Sequence, residues 1–372
     1  METRSALPPQ PIDRMAVVAR RGPLARTTAA LAEGQLTLGF IGGSITDGWD
    51  NTWPGPVAAW FARSYPNLVL AAENAAIGAS GSDSACVRVD HEIIARGCHL
   101  TFVEYSVNDS AIEPERRGRT REGLLRKLLA AGSDVVLVHT FRQEFYADMI
   151  AGRVPDSIAD FERLAEHYNL SSVWVGLHAF NEVRAGKMKW DEWLPDGLHP
   201  GHRGSWSYAE AVTAFLQPEL AVPRSGLPSP APLPAPLFPK NWQTLHELPL
   251  TQLRTQGPWI TKRVHGSNHI GQVLETSTPG ARLSFQFVGR GLVLVFDYGK
   301  KSAELKFRLD DQPWVPVVRE RPEWAGPRGM VRPLLISDEL THGPHSFELE
   351  VVHGDRAECL GTECRLAVVG IL

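Results

Sequence analysis

Four polar residues of the sequence are of the types that acyl transfer requires. Ser44 lies in a glycine-rich turn, Asn108 follows an apolar run, and Asp196 precedes His199 by three residues. A carboxylate can hold one ring nitrogen of a histidine while the other nitrogen takes the proton of a serine hydroxyl. An asparagine amide can stabilise an oxyanion together with backbone N–H groups. These residues predict a serine-hydrolase site if the fold brings them together.

Each of these residues is weak evidence by itself. A serine in a glycine-rich turn is most often a turn former or a helix cap, and an asparagine after an apolar run is commonly a turn residue. The phosphate-binding patterns G-x-x-x-x-G-K-[ST] and G-x-G-x-x-G are absent, which argues against nucleotide binding. The joint placement carries the prediction, because parallel sheets bind ligands beyond the carboxyl ends of their strands.

The elements that must position these residues alternate along the first part of the chain. Strands followed by helices of 10–15 residues predict βαβ units and a parallel sheet with helices on both faces. The predicted strands are Gln35–Gly42, Leu68–Ala72, Leu100–Tyr105, Asp134–His139 and Ser172–Gly176. The predicted helices are Pro54–Tyr65, Ser82–Arg96, Arg116–Ala131, Ser157–Tyr168 and Gly201–Leu216. Ser44 and Asn108 each follow one of the strands directly.

A proline-rich segment divides the chain into two predicted domains. Positions 217–240 contain eight of the 28 prolines. Proline fixes φ and lacks an N–H group, so we expect an extended linker here rather than a helix or a central strand. Residues 1–216 then form the α/β domain, with an N-terminal extension over residues 1–34, and residues 241–372 form the second domain.

The second domain has the pattern of an antiparallel, jelly-roll-like β-sandwich. Its apolar segments are short, rich in β-branched and aromatic residues, and separated by turn residues. The predicted strands are Arg282–Phe287, Gly291–Phe296, Ala303–Leu309, Trp314–Val318, Ser346–Val352 and Arg365–Ile371.

Composition and charge exclude several classes of protein. The 372 residues include 38 Lys+Arg and 42 Asp+Glu, for a net charge of -4, so no basic field favours nucleic acid. No apolar run reaches the ~20 residues of a membrane-spanning helix. The N-terminus lacks the apolar stretch of a signal peptide, and we therefore expect a cytoplasmic protein. The sequence leaves the oligomeric state open, including a homo-oligomer.

The four cysteines are too few for a disulfide framework. We expect Cys86 and Cys98 to be reduced thiols. Cys359 and Cys364 could pair in an oxidising compartment, but free thiols are the simpler expectation. They have no partnering His or Cys pair, so no zinc site is expected.

Taken in order, these segments resemble the sequence blocks of the SGNH (GDSL-type) hydrolase superfamily over positions 36–216. The Gly-Asp-Ser of the first block is here Gly42-Gly43-Ser44, followed by Ile45-Thr46. The asparagine of the third block stands in Val107-Asn108-Asp109, and the D-x-x-H motif is Asp196–His199 within D-G-L-H-P. The resemblance implies a flavodoxin-like three-layer α/β/α fold and hydrolysis of esters without a metal or other cofactor.

The resemblance also implies the role of each residue. Ser44 is the expected nucleophile, His199 the general base and acid, and Asp196 the group that orients the imidazole. The expected oxyanion hole consists of Asn108, the backbone N–H of Ser44 and that of a glycine in the second block. Gly78 is the expected glycine, with Gly81 as its competitor.

Gly43 is the main departure from the pattern of the superfamily. It stands where an aspartate normally braces the nucleophile loop, so the bracing in this chain must differ. Ser106 replaces a glycine that often lies near the third-block asparagine.

The substrate is predicted from weaker features. Trp49, Trp53, Trp190 and Trp193 flank the nucleophile loop and the D-x-x-H motif, and such rings either stack on sugars or fill the core. Arg142, after the fourth predicted strand, either contacts substrate or pairs on the surface, and pairing is the simpler expectation.

An SGNH domain joined to a β-sandwich resembles the domain arrangement of several carbohydrate esterases. In those enzymes the β-sandwich binds glycan or has a structural role. We therefore expect a serine esterase that removes short acyl groups, above all O-acetyl groups, from a small-molecule or oligosaccharide ester. A lipolytic esterase or acyl-thioesterase is the alternative within the superfamily. A catalytically inactive carbohydrate-binding protein is the alternative of another class.

Overall fold

The computed structural model describes residues 16–221, 232–263, 270–321 and 330–372. The chain divides into two units. The first comprises residues 1–85 and 89–239, and the second comprises residues 86–88 and 240–372. No helix among the described residues has the length and apolar character needed to span a bilayer.

A six-stranded, mostly parallel sheet lies at the centre of the first unit. Its order is β1-β6-β5-β4-β2-β3, and only the two-residue edge strand β1 runs antiparallel to its neighbour. The five parallel strands thus follow the order 2-1-3-4-5 of flavodoxin-like sheets. The strands are β1 (Val18–Ala19), β2 (Gln35–Gly42), β3 (Val69–Asn74), β4 (Leu100–Glu104), β5 (Asp134–Val138) and β6 (Ser171–Val173).

Helices flank this sheet in two groups. α2, α7 and α8 each pack on α9, while α4 packs on α6. The helices are α1 (Ala25–Glu33), α2 (Pro54–Ser64), α3 (Ser82–Val89), α4 (Pro114–Ala130), α5 (Tyr146–Ile150), α6 (Asp156–His167), α7 (Val175–Arg184), α8 (Trp190–Trp193) and α9 (His202–Leu220). The predicted α/β architecture is confirmed.

The fifth predicted strand is shorter than expected. β6 ends at Val173, and α7 begins at Val175. The apolar run that predicted one strand is shared between the end of β6 and the buried first turn of α7. Periodicity alone cannot separate a buried strand from a buried helical turn in such a short run.

The expectation that position 217 begins an extended linker is wrong for four residues. α9 continues to Leu220 with Pro218 inside its last turns. Leu216 and Leu220 are buried, and Glu219 forms an ion pair with Arg20 at 3.2 Å. This packing holds the helix although proline cannot donate its backbone hydrogen bond. The rest of the predicted linker up to residue 231 lies outside the described residues.

The second unit contains two antiparallel sheets that form a sandwich, as predicted. One sheet has the order β15-β12-β17-β10-β9 with β7 also paired to β17, and the other has the order β14-β13-β16-β11-β8. Side chains of both sheets, such as Phe285, Leu294, Phe347 and Leu366, form its buried core. The strands are β7 (His246–Leu248), β8 (Arg254–Gln256), β9 (Ile260–Arg263), β10 (Gln272–Thr276), β11 (Arg282–Gly289), β12 (Leu292–Tyr298), β13 (Glu304–Leu309), β14 (Val315–Val317), β15 (Met330–Ser337), β16 (Gly343–Val352) and β17 (Cys364–Ile371).

Five of these strands were not predicted from the sequence, namely β7, β8, β9, β10 and β15. β7, β8 and β9 are short and largely exposed, so they carry little hydrophobic pattern. β15 contains Pro333 and lies at a sheet edge, where a missing N–H group is tolerated.

All four cysteines of the chain are buried and free.

The segment that follows the undescribed part of the linker is anchored on α4. The buried Glu122 accepts the backbone N–H groups of Leu237 and Phe238, each at 2.7 Å, and the hydroxyl of Tyr168 at 2.6 Å. The Phe238 ring lies against Gly118, where an added Cβ would come within 2.2 Å of a ring carbon. Gly118 therefore makes room for this aromatic anchor.

We predict that Gly118→Ala destabilises the first unit by about 1–2 kcal/mol. The clash with Phe238 outweighs the better helix propensity of alanine, which is about 1 kcal/mol. The measurement is thermal unfolding, together with trypsin cleavage at Lys240. Gly271→Ala is the matched control, because nothing lies within 4 Å of its added Cβ. An unfolding temperature of Gly118→Ala at or above that of the unsubstituted protein would contradict this account.

Candidate active site

Ser44, His199 and Asp196 form a hydrogen-bonded chain, although 155 positions separate Ser44 from His199. The Ser44 Oγ lies 2.8 Å from His199 Nε2, and His199 Nδ1 lies 2.7 Å from Asp196 Oδ2. The two residues reach each other because Ser44 follows the carboxyl end of β2 and His199 precedes α9 on the same side of the sheet. This arrangement can pass a proton from the serine hydroxyl to the imidazole.

Asp196 is held as a carboxylate by its own loop. Its Oδ1 accepts the backbone N–H of Leu198 at 2.9 Å and that of His199 at 2.7 Å. Desolvation acts to raise the pKa of Asp196, but these bonds and the bond from His199 Nδ1 lower it to about 2. A carboxylate on Nδ1 keeps the proton on that nitrogen, and Nε2 then faces Ser44 with its lone pair.

The nucleophile loop is a tight turn at the end of β2. The N–H groups of Thr46 and Asp47 both donate to the Gly43 carbonyl at 3.0 Å. Asn74, at the end of β3, donates through its amide to the carbonyls of Thr46 and Gly48, each at 2.8 Å. Ser44 therefore lies on a loop that two neighbouring strands hold.

Asn108 lies against this turn. It begins a 3-10 turn after β4, and its amide group contacts the α-carbon of Gly43. A Cβ added at position 43 would lie 1.9 Å from Asn108 Oδ1 and 2.5 Å from its Cγ. The glycine that departs from the superfamily pattern thus leaves the space that the Asn108 amide occupies beside Ser44.

The two candidate glycines lie in different surroundings. Gly78 is beside the nucleophile, because a Cβ added to it would lie 3.7 Å from the Ser44 Cβ. Its N–H group donates to Asp47 Oδ2 over 3.3 Å, so a substrate oxygen at this position would replace that carboxylate. Gly81 lies instead against the carboxyl groups of Asp109 and Asp83.

A buried glutamate braces the nucleophile loop in place of the missing aspartate. Glu104, the last residue of β4, accepts the Gly43 N–H at 3.4 Å and the Thr46 hydroxyl at 3.1 Å on one oxygen. Its other oxygen accepts the hydroxyl of Thr140, just after β5, at 2.8 Å. Burial raises the pKa of Glu104, and these three donors act in the opposite direction by favouring its charged form.

Glu104 is a residue of the site that was not predicted from the sequence. The available signal was an acidic residue at the end of the apolar run Leu100–Glu104, every residue of which is buried. A buried carboxyl is costly unless it is hydrogen-bonded, so its presence at a strand end indicates nearby donors. Which donors these are depends on the three-dimensional arrangement of β2, β4 and β5.

A second buried group holds the turn that carries Asn108. Asp109 accepts the N–H of Ser82 at 2.9 Å and forms an ion pair with Arg121 at 2.8 Å. The guanidinium of Arg121 also donates to the carbonyl of Tyr105 at 3.0 Å and to the carbonyl of Ser157 at 2.6 Å. Burial acts to lower the pKa of Arg121, and the charge of Asp109 opposes that shift. Asp109 and Arg121 have no exposed surface, and their pairing fixes the position of the neighbouring Asn108.

The first unit contains another serine–histidine–carboxylate chain that cannot act on a substrate. Ser106 Oγ lies 2.8 Å from His139 Nδ1, and His139 Nε2 lies 2.7 Å from Glu162 Oε1. Arg21 bonds to the same carboxylate at 2.5 Å. Ser106 and His139 are only 0% and 1% exposed, whereas the side chains of His199 and Asp196 are 45% and 54% exposed. Accessibility therefore distinguishes the candidate nucleophile Ser44 from Ser106.

Two of the four tryptophans proposed as substrate contacts are unsuited to that role, and the prediction is wrong for them. Trp53 and Trp193 are 1% and 0% exposed, and their indole N–H groups bond to Thr46 and Tyr208. They fill the core because the two segments flanking the site pack inward. Trp190 is partly buried against other aromatic rings, and Trp49, at 38% exposure, packs its ring edge-on against Phe40.

Elsewhere in the described part of the chain, His178, Glu182 and Glu210 have the composition of a metal site. Arg203 binds both carboxylates, at 2.8 Å and 3.3 Å, and Ser207 donates to Glu182 at 2.5 Å. An arginine already supplies the positive charge there. The arrangement therefore gives no support to a metal at this position.

Comparisons with known proteins give one family model that matches part of the chain and solved structures of similar fold. Residues 40–206 match the model of the GDSL-like Lipase/Acylhydrolase family. Two crystal structures of a two-domain esterase (CEX), described as active on acetylated mannans, superpose with TM-scores of 0.77 and 0.78. The first of them was co-crystallised with mannopentaose. Each is 22% identical in sequence, and the alignment covers 95% of this chain and 96% of that chain. A comparison with curated proteins gave no match.

We predict that Glu104→Ala lowers kcat for ester hydrolysis about 10- to 100-fold with little change in KM. Loss of the brace lets the loop of Ser44 shift, and small displacements of a reacting group are costly. Glu104→Gln is the matched control, because its amide oxygen still accepts from Gly43 and Thr46 while the Thr140 hydroxyl turns to accept from the amide nitrogen. Steady-state kinetics of both variants are the measurement. A Glu104→Ala enzyme with the kcat of the unsubstituted protein would refute the role of this brace.

We also predict that Glu162 stabilises the first unit in a pH-dependent way. Burial acts to raise the pKa of Glu162, but bonds from His139 and Arg21 lower it to about 2. Because the folded pKa is depressed, this stabilisation is present above about pH 4.5 and is lost as the pH falls toward 2. Glu162→Gln should cost about 2 kcal/mol at pH 7 and progressively less below pH 4.5.

Thermal unfolding from pH 7 to pH 3 measures this difference. Glu166→Gln is the control on the same helix, because its half-exposed carboxylate lies 3.9 Å from Arg21 and should contribute little. A stability difference for Glu162→Gln that does not change with pH would contradict the assignment.

Proposed function

We propose that this protein, whose residues 40–206 match the model of the GDSL-like Lipase/Acylhydrolase family, is a serine esterase that removes O-acetyl groups from a carbohydrate. The observation that carries the proposal is the hydrogen-bonded chain from Ser44 through His199 to Asp196, at 2.8 Å and 2.7 Å. It supplies a nucleophile, a base and a group that orients the base at an exposed position of the sheet edge.

The proposed reaction proceeds through an acyl-enzyme. His199 Nε2 takes the proton of Ser44 as Oγ attacks the acyl carbonyl carbon. Asn108 and the N–H groups of Ser44 and Gly78 donate to the oxyanion of the tetrahedral intermediate. The intermediate collapses, the C–O bond to the sugar breaks, and His199 gives its proton to the leaving sugar hydroxyl.

Water then attacks the acetyl group on Ser44, with His199 again as the base. The second tetrahedral intermediate releases acetate, and the proton returns to Ser44 Oγ. Asp196 stays ionised through both steps, because its pKa of about 2 lies far below the usual pKa of a histidine imidazole. It stabilises the imidazolium that forms each time.

Two features support a carbohydrate ester over a lipid ester. The neighbouring CEX fold is that of an esterase described as active on acetylated mannans. Four of the six residues that line the cavity beside Asp196 have charged or amide side chains, namely Arg142, Gln143, Glu144 and Asp196 itself, and Leu198 is the apolar one. A long acyl chain would gain little by entering such a cavity, since binding of chains depends on apolar surface.

Covalent labelling separates the esterase from an inactive carbohydrate-binding protein. A fluorophosphonate probe should modify Ser44 in the unsubstituted protein and leave Ser44→Ala unmodified. A binding protein without a functional nucleophile would give no labelling of either form.

We predict that Ser44→Ala lowers kcat for p-nitrophenyl acetate by about 10³ or more, and that Asn108→Ala lowers it by about 10² to 10³. The first change removes the nucleophile, and the second removes one oxyanion donor. Steady-state rates on p-nitrophenyl acetate, and acetate release from acetylated oligosaccharides, are the measurements. Ser106→Ala is the control, because its buried hydroxyl should take no part in the reaction. Unchanged turnover by the Ser44→Ala protein would disprove the mechanism.

A further inference from the structure

A cavity of about 340 Å³ opens directly beside the catalytic aspartate. It is lined by Arg142, Gln143 and Glu144, which follow β5, and by Asp196, Gly197 and Leu198. Its volume lies at the lower end of the range for small-molecule sites, which is about 300–1,000 Å³. Leu198, which lines the cavity, directly precedes His199 in the sequence, so a group bound here would lie next to the reacting centre.

The polar groups of this cavity are held in place before any ligand arrives. Arg142 binds Glu144 with two parallel bonds, from Nε at 2.7 Å and from Nη2 at 2.5 Å. Its Nη1 donates to the hydroxyl of Ser110 at 2.7 Å, and Ser110 belongs to the 3-10 turn that begins with Asn108. The guanidinium therefore joins the loop after β4 to the loop after β5. Ordering these side chains in advance lowers the entropic cost of binding.

Gln143 lies against the turn between Asp196 and His199. Gly197, two residues before His199, has a φ of +80°, and a Cβ added there would lie 2.8 Å from Gln143 Oε1. The absence of a side chain at position 197 lets the Gln143 amide approach the turn between Asp196 and His199. Gln143 thus presents a donor and an acceptor next to the reacting groups.

The chemistry of these groups matches an uncharged polyol. A guanidinium has five N–H groups, and three of those on Arg142 are used by Glu144 and Ser110. The other two have no partner within the ranges that the structure describes, so they can donate to hydroxyl oxygens. The bond from Arg142 lowers the pKa of Glu144 to about 2, so its carboxylate remains available to accept from hydroxyl protons.

Charge separates a neutral sugar from other ligands. Arg142 and Glu144 together carry no net charge, so an acidic sugar would meet repulsion from Glu144 as well as attraction to Arg142. An acyl chain would offer no partner to the Gln143 amide or to the two N–H groups of Arg142 that Glu144 and Ser110 do not use, which is unfavourable where the chain displaces their water.

We propose that Arg142, Gln143 and Glu144 form a subsite for a neutral sugar unit that adjoins the acetylated one in an oligosaccharide substrate. This inference rests on the proposed function, since it names the part of the carbohydrate that this side of the site recognises. Arg142 and Glu144 are then specificity-determining residues that bind substrate without taking part in bond breaking.

The test compares two substrates on the full-length protein. Acetylated neutral oligosaccharides of two or more sugars, of the manno and xylo series, reach the subsite, whereas p-nitrophenyl acetate has no sugar to place there. In Arg142→Ala and Glu144→Ala, we expect the ratio of kcat/KM for the oligosaccharide to kcat/KM for p-nitrophenyl acetate to fall at least tenfold. The fall should come mainly from KM for the oligosaccharide, because the reacting groups are untouched.

Arg153→Ala is the matched control. Arg153 binds Asp148 with the same two kinds of guanidinium nitrogen, at 3.0 Å and 2.8 Å, but it is exposed and lies outside the cavity lining. It should keep the substrate ratio of the unsubstituted protein. Thermal unfolding of all three variants shows whether the folded state is retained.

Each outcome decides either the subsite or the proposed function. An unchanged ratio in Arg142→Ala and Glu144→Ala, or an equal loss on both substrates, overturns the subsite and leaves the esterase intact. Hydrolysis of p-nitrophenyl acetate but of no acetylated oligosaccharide overturns the carbohydrate substrate of the proposed function, and the subsite with it. A higher kcat/KM of the unsubstituted protein for uronate-bearing than for neutral acetylated oligosaccharides would replace the neutral sugar by an acidic one. An unsubstituted protein that turns over neither substrate overturns the proposed function itself.

Discussion

The geometry of the site depends on the hydrogen bonds to the buried carboxyl group of Glu104. It lies where the central strands β2, β4 and β5 end side by side, and it accepts from the Gly43 backbone, Thr46 and Thr140. A buried carboxyl is tolerated only when donors surround it. The same requirement that places three donors around Glu104 therefore fixes the turn that presents Ser44.

This brace also explains how the nucleophile loop works without an aspartate at position 43. A side chain there would collide with Asn108, whose amide lies against the Gly43 α-carbon. The bracing carboxyl lies on the neighbouring strand instead, which leaves this space to the amide of Asn108, the proposed oxyanion donor. The acid that supports the loop and this amide thus occupy separate positions.

The first unit separates its buried polar networks from its exposed reactive one. The Asp109–Arg121 pair and the chain from Ser106 through His139 to Glu162 lie in the interior, where each member has its partners. Asp196 and His199 lie at the surface, where a substrate can reach them. Residue types and hydrogen-bond distances are nearly the same in the two serine–histidine–carboxylate chains. The two chains differ in burial and in the orientation of the ring, because the serine lies on Nε2 of His199 but on Nδ1 of His139.

By itself, the sequence determined the α/β class, the sandwich and the identity of the candidate triad, because these follow from local patterns. Apolar runs mark the strands, and polar motifs after strand ends mark a shared sheet edge. Tertiary structure alone decided that Glu104 braces the loop, that Trp53 and Trp193 are core residues, and that Pro218 lies within α9. It also decided that Gly78 lies beside Ser44 and Gly81 beside Asp109. Each of these outcomes depends on which groups from distant segments surround a residue, and the packing that sets those surroundings leaves no periodic pattern along the chain.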